Sequence, residues 1–340
     1  MKAYSLHGIN NLKYESVDYP DCPSGWSIVK VKAAGICSSD IPRIFTKGTY
    51  HFPTIPGHEF SGVVDKVADT ENERLVGKKV GVFPLIPCRN CPQCKTGHYE
   101  MCANYDYIGS RRNGGFAEYV AVPVWNLVEF SDEVSFQEIA MMEPLAVALH
   151  AVKQADMKPG DKVGIVGTGM IGFAAAQWTQ KLGIKEVTVI GRSADKKRLA
   201  DGINGLKYQI MNQVEEEFDV VIEAVGSNTA IDKSINIVKT AGKIVLMGNP
   251  EGDIHLAQNT YWRILRKQLH VIGTWNSAYE NNRSCDWSEV KEALDNKNIQ
   301  AESLISHTFA QDKLCDGLEL MRKHEEPYCK VMTIWNEEHI

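Results

Sequence analysis

Apolar positions up to about residue 130 fall in short alternating runs broken by turn formers, and after residue 160 they lengthen into runs of buried character. Residues 27–35, 62–67 and 77–83 read as strands bounded by glycine, and 109–122 begins as a glycine-containing turn and becomes an alternating strand. An all-β module is therefore expected on this side of the chain. Residues 135–152 take a helical pattern, interrupted at Glu143-Pro144-Leu145. From Gly160 the order becomes strand 161–166, helix 173–182 and strand 186–190, with further strands at 218–226, 242–248 and 269–274 between helical segments. That alternation predicts a parallel sheet. Beyond it, 288–294 and 311–322 read as helices, and 330–335 as a closing strand returning to the first domain.

At 340 residues the chain exceeds one ordinary domain and suits two. No apolar run approaches the roughly 20 residues that span a bilayer, and the first residues read directly into strand-like sequence without an apolar leader, so a cytoplasmic protein with no membrane role is expected. The formal charge of -6 disfavours nucleic acid as the main partner. Nine cysteines are an odd count, and four of them crowd between 88 and 102, which points to metal binding in a reducing compartment.

Two cysteine-bearing stretches carry the candidate chemistry. Cys37-Ser38-Ser39-Asp40 and, about twenty residues on, Gly57-His58-Glu59 offer a thiolate, an imidazole and a carboxylate, the mixed donor set of a catalytic zinc with one open position. Ser39 is placed to pass a proton toward solvent and Asp40 to orient a ligand; the alternative is a buried cysteine and a core histidine that merely lie close in sequence. Cys88, Cys91, Cys94 and Cys102 can wrap one ion tetrahedrally with no open position, which predicts a structural zinc; an iron-sulfur cluster is the competing reading. His98, inside that stretch, is taken as a surface histidine. Arg111 and Arg112 suit either an anion or a solvated turn, and Glu143, a carboxylate in apolar company, needs a cation or metal as partner.

Gly167-Thr168-Gly169-Met170-Ile171-Gly172 lies between a strand and a helix, the context in which such glycines admit a pyrophosphate to a helix N-terminus. The acid expected at the end of the second strand, which would bind the NAD ribose, is replaced by Gly191-Arg192-Ser193. A guanidinium and a hydroxyl beside a glycine suit the 2'-phosphate, so NADP(H) is the expected coenzyme, with NAD(H) the alternative. Lys197, Gly226, Gly248, Gly273 and Thr274 complete the expected coenzyme-lining positions.

In this order, Cys37 with Ser39-Asp40, Gly57-His58-Glu59, the four cysteines, Glu143-Pro144-Leu145 and Gly167 to Gly172 resemble the zinc-dependent medium-chain dehydrogenase/reductase family over essentially the full chain, and within it the polyol branch. The resemblance implies an α/β protein: a GroES-like, mainly β catalytic domain over 1–148 and 278–340, and a Rossmann coenzyme domain over 149–277. It implies catalytic zinc on Cys37, His58 and Glu59 or Glu143, hydride transfer between a sugar alcohol or its phosphate and the nicotinamide, and a proton path beginning at Ser39. Many relatives carry a histidine five residues after the catalytic cysteine; here Pro42 stands there, so the path must differ, through His51 or water. A phosphorylated substrate would call on Arg43, Arg111 and Arg112, with Arg263, Arg266 and Lys267 as further cations that alternatively line an interface. A homodimer or homotetramer is expected, joined at the edge strand 269–275. An unphosphorylated polyol or secondary alcohol is the alternative substrate, and a non-catalytic nucleotide-binding redox sensor the alternative class.

Overall fold

A computed structural model of the protein describes residues 1–203, 205–281 and 283–335; the expected domain ranges also run over 204, 282 and 336–340, which lie outside these. The chain divides into two compact units, Met1–Glu143 with Ala278–Lys297 and Ile305–Ile340, and Pro144–Ser277 with Asn298–Leu304. The α/β class with a GroES-like and a Rossmann domain holds.

The first unit is built on a seven-stranded sheet. Its order is Ile305–Ala310, Lys330–Ile334, Trp26–Ile36, Glu59–Val67, Lys79–Val82 and Leu127–Phe130, with Tyr119–Pro123 also paired to the long Trp26–Ile36 strand. Neighbours run antiparallel except the first pair. Val29, Val31, Phe60, Val64, Val80 and Val331 point into one core, where Leu318 and Met321 of the helix Leu314–Lys323 cover them. Burying such side chains contributes about 1.5–3 kcal/mol each. The strand Lys330–Ile334 pairs Val331 with Ile36 and Met332 with Gly35, while Gly35 pairs with Glu59 across the sheet. Three distant segments thereby meet at one sheet end.

The second unit is a six-stranded, all-parallel sheet ordered Lys207–Ile210, Glu186–Gly191, Lys162–Val166, Phe218–Glu223, Val238–Leu246 and His270–Gly273. That is the doubly wound order, and it reverses between Lys162–Val166 and Phe218–Glu223. The helical stretch expected over 135–152 is two helices, Phe136–Ala140 and Met142–Gln154. The break falls at Met141 and not at Glu143-Pro144, because a proline in the first turn lacks only an N–H that the helix would not have used. No helix among the described residues is long and apolar enough to cross a membrane.

Candidate metal centre and coenzyme loop

Cys37 follows the Trp26–Ile36 strand directly, and Glu59 opens the Glu59–Val67 strand. Gly57, with φ +95°, makes the turn that delivers His58; a Cβ there would lie 2.6 Å from the Phe116 ring, so only glycine fits. One ligand atom from each of Cys37, His58 and Glu59 falls within 4.8 Å of the others. Ser39 donates to Cys37 Sγ at 3.3 Å. Asp40, fully buried, accepts from the Cys37 N–H at 3.1 Å and from Arg43 at 2.5 Å, and its Oδ1 lies 3.6 Å from His58 Nδ1. Buried His58 Nδ1 has no hydrogen-bond partner among the described residues and faces that carboxylate, which leaves Nε2 as the ring nitrogen available to a metal.

Charge at this site is unbalanced. Lys330 Nζ, buried on the closing strand, bonds Glu59 Oε2 and the Ile36 carbonyl. Burial pulls its ammonium down, but Glu59 and Cys37 outweigh that and hold it above lysine's ordinary value. Burial pushes the Cys37 thiol up to about 11, reinforced by Glu59 and Asp40. Burial likewise pushes the Glu143 carboxyl up to about 8, with Glu59 and Cys37 adding to it against the pull of His58. Two carboxylates and a thiol beside one lysine form a donor set that a divalent cation would balance. Glu143 Oε1 lies 3.4 Å from the Tyr107 hydroxyl, and Glu143 is outside the three-residue donor cluster. The residues present fit zinc.

Sequence reasoning missed Lys330 and Tyr107. The only signal for Lys330 was a lone cation opening an apolar strand. Tyr107 also places its ring edge-on to His58, centroids 5.7 Å apart.

Cys88, Cys91, Cys94 and Cys102 converge, one sulfur each within 4.8 Å. Cys94 N donates to Cys91 Sγ at 3.5 Å and Cys88 N to Cys102 Sγ at 3.3 Å. N–H groups of Cys94 and Ala103 pull the Cys91 thiol down to about 6, and those of Asn90 and Cys91 lower Cys88, whereas burial pushes Cys94 up to about 12. Arg89 stacks 4.4 Å over Trp125, pinning the loop to the first unit. His98 is largely exposed, pairs with Glu100 at 3.3 Å, and stands outside the sulfur cluster.

The three candidate phosphate-binding arginines are not equivalent. Arg43 is held by Asp40, and Arg112 by Asp106 while lying over Trp26. Arg111 is stacked on Tyr50 and Tyr105, at 4.3 and 4.5 Å, and has no carboxylate partner among the described residues. Arg111 and Arg112 line a cavity of about 710 Å³ with Trp26, Asp106 and Asn113; Cys37, His58 and Glu59 are not among its lining residues. His51, also on that cavity, turns one ring nitrogen to the Arg111 carbonyl at 3.0 Å and the other to Thr54 and Pro53, and no hydrogen bond among the described residues joins it to Ser39. Among the further cations, Lys267 is tied to Glu217 and the Val238 carbonyl, and Arg266 stacks on Trp262.

In the second unit, Gly167 has φ +129° and Gly169 caps the helix Met170–Lys181, leaving its first N–H groups, those of Met170, Ile171 and Gly172 among them, open to an anion. Gly191 ends the second strand, and a Cβ there would overlap the Tyr208 hydroxyl. Tyr208, also missed from sequence, donates to the Ser193 carbonyl at 2.5 Å and fills the place an acidic side chain would take. Arg192 and Ser193 are exposed beside it; Ser193 donates to Asp195 at 2.7 Å, and Lys197 is held by Asp201 at 2.9 Å. Gly226 and Gly248 pack against each other just past the ends of the fourth and fifth strands, and Gly273 ends the sixth with Thr274 directly after it.

Residues 23–132 match the family model described as alcohol dehydrogenase GroES-like domain, and residues 171–296 match zinc-binding dehydrogenase. The chain belongs to the zinc-dependent medium-chain dehydrogenase family. Galactitol 1-phosphate 5-dehydrogenase of Escherichia coli K12 is 35% identical over 88% of this chain and 90% of that protein. Sorbitol dehydrogenase of Bombyx mori is 26% identical over 94% and 95%. The crystal structure of galactitol-1-phosphate dehydrogenase from Escherichia coli superposes with a TM-score of 0.88 at 30% identity, covering 98% of this chain and 100% of that one. This medium-chain dehydrogenase is thus a zinc- and NAD(P)-dependent alcohol or polyol dehydrogenase.

Proposed function

We propose that the protein oxidises a sugar alcohol phosphate to a ketose phosphate, or runs the reverse reduction, with NADP(H) as coenzyme. The convergence of Cys37, His58 and Glu59, with Ser39 bonded to the Cys37 sulfur, is the observation that carries the reaction. A zinc ion held there supplies Lewis acidity toward a substrate hydroxyl. Ser39 then takes the proton outward, Asp40 fixes the His58 ring, and Lys330 holds Glu59 in the donor set while limiting the negative charge. Of the two carboxylates, Glu59 is the first choice as ligand, and Glu143, bonded to Tyr107, stands beside it. The four sulfurs of the 88–102 loop hold a second, structural zinc.

The phosphate ester is supported by the 35% identity to galactitol 1-phosphate 5-dehydrogenase and by Arg111, whose guanidinium has no carboxylate on it among the described residues. Oxidation of an unphosphorylated polyol is the second reading, favoured by the prior engagement of Arg43 and Arg112 with Asp40 and Asp106. Preference for NADP(H) is supported by Gly191 and by Tyr208 occupying the place of the usual acid. A second copy of the chain is the partner proposed for the second unit: the edge strand His270–Gly273 exposes Val271, followed by Trp275, and the helix Gln258–Arg266 exposes Tyr261 and Leu265. A reducing, cytoplasmic setting suits the free thiols.

Rates with galactitol 1-phosphate, galactitol and sorbitol, each with NADP and NAD, test the reading on zinc-loaded protein. The phosphate ester with NADP is expected to give the highest kcat/KM, and Arg111→Ala to raise KM for the ester alone. Equal turnover of the free polyols, or an unchanged KM in that variant, moves the assignment to a general polyol dehydrogenase; preference for NAD refutes the coenzyme assignment.

A further inference from the structure

The strand Phe218–Glu223 runs through the apolar residues Val220, Val221 and Ile222 to a final residue whose carboxylate is completely buried. Glu223 Oε1 accepts hydrogen bonds from the N–H groups of Val225 and Gly226, both at 2.8 Å. The main-chain oxygen of the same residue accepts from Met247 and Gly248, both at 3.0 Å. One residue therefore ties together the turns that end the fourth and fifth strands of the parallel sheet. The turns are pressed close: a Cβ on Gly226 would lie 2.7 Å from the Asn249 carbonyl carbon, and one on Gly248 2.5 Å from that of Val225. Oε2 of Glu223 is buried with no hydrogen-bond partner among the described residues, a cost that persists only where the other oxygen's bonds matter.

A doubly wound sheet binds a dinucleotide across the crevice at its switch point, one mononucleotide over each half. Here the glycine loop and the end of the second strand take the adenosine half, so the other half lies over the strands that Glu223, Gly226 and Gly248 terminate. We propose that Glu223 is a positioning residue for the nicotinamide half of the coenzyme, holding the Val225–Gly226 and Met247–Gly248 turns at the spacing that half requires. It acts through backbone and does not touch the ligand, since both its oxygens are occupied or enclosed.

The inference rests on the chain using a nicotinamide dinucleotide and is independent of which polyol it oxidises. Dissociation constants measured by protein fluorescence for NADPH, and for the fragment 2'-phospho-ADP-ribose that lacks the nicotinamide, test it on the full protein. Glu223→Ala is expected to weaken NADPH at least tenfold and the fragment less than twofold. Glu223→Gln, whose side-chain carbonyl can still accept both N–H groups, is expected to stay within threefold of the parent for both. In the coenzyme-free protein, amide exchange at Val225 and Gly226 should speed up at least tenfold in Glu223→Ala and remain slow in Glu223→Gln. Should the alanine variant fail to fold, Glu223→Asp, too short to reach both amides, replaces it with the same expected split. Equal weakening of NADPH and fragment would reduce Glu223 to a general support of the fold, and unchanged NADPH binding in all variants would refute the role. If the parent prefers NADH, the same comparison runs with NADH and ADP-ribose, which separates a failure of the coenzyme assignment from a failure of this one.

Discussion

Replacing Lys330 by methionine removes the cation from Glu59 while keeping most of the side chain's volume. The two side chains are 4% and 2% exposed, so neither charge can turn to water when the other is lost. Stranding one member of a buried pair costs about 3–5 kcal/mol, whereas replacing both members by neutral groups costs far less. In a unit of about 200 residues this corresponds to a melting temperature lower by about 6–20 °C. Thermal unfolding of zinc-stripped protein should show that loss in Lys330→Met and recover most of it in Lys330→Met/Glu59→Gln. Zinc-loaded Lys330→Met should lose less, because the metal replaces the missing positive charge. The pair's contribution is fully present below lysine's unfolded value of about 10.4 and is lost as pH rises from there through the raised folded value, so the deficit should be unchanged between pH 7 and 9. A single variant within 1 kcal/mol of the parent, or a double variant as unstable as the single, would refute the reasoning.

Cys102→Ser should lower bound zinc from about two to about one per chain, read by metal analysis, without abolishing coenzyme binding. Gly191→Asp should lower kcat/KM for NADP and also destabilise the second unit, since its side chain collides with Tyr208; adding Tyr208→Ala should restore stability but not NADP use. Burial pushes the Glu138 carboxyl up, but Lys297 and the Ser135 cap outweigh it and leave it below the usual glutamate range. Its contribution is present above the unfolded value of about 4.3 and is lost as pH falls through the lower folded value, so Glu138→Gln should flatten the acid limb of a urea-unfolding profile.

Much of this molecule was legible because its decisive signals are local. The four-cysteine loop carries all its donors within fifteen residues, and the glycine fingerprint sits between a strand and helix that announce themselves by periodicity. Cys37, His58 and Glu59 were recognisable because two neighbouring loops supply them. What escaped depends on long-range pairing. Lys330 reaches Glu59 across 271 positions, and nothing in its own neighbours distinguishes it from a surface lysine. Tyr208 was hidden for the same reason, since its hydroxyl matters only when the third strand lies beside the second. The strand Ile305–Ala310 was missed because its alternation is half-exposed throughout, and the polar residues of Ile-Ser-His-Thr-Phe-Ala blur the period. The arginines illustrate the same dependence on the fold: the sequence offers three cations for one anion, and the fold sets carboxylates beside two of them.

The late position of the Lys330–Ile334 strand has a consequence for how the protein is made. During synthesis the Trp26–Ile36 strand emerges with Glu59–Val67 on one edge, and Tyr119–Pro123 later covers residues 26–30 of the other, but residues 33–36 of that edge stay open until residue 334 leaves the ribosome, at a typical rate well over ten seconds after Glu59–Val67. Over that interval the nascent chain presents an unpaired strand edge and a carboxylate without its ammonium. A chaperone that shields that edge, or zinc captured early by Cys37 and His58, would bridge the gap, and chains released short of Lys330 should be found among aggregates and proteolytic fragments.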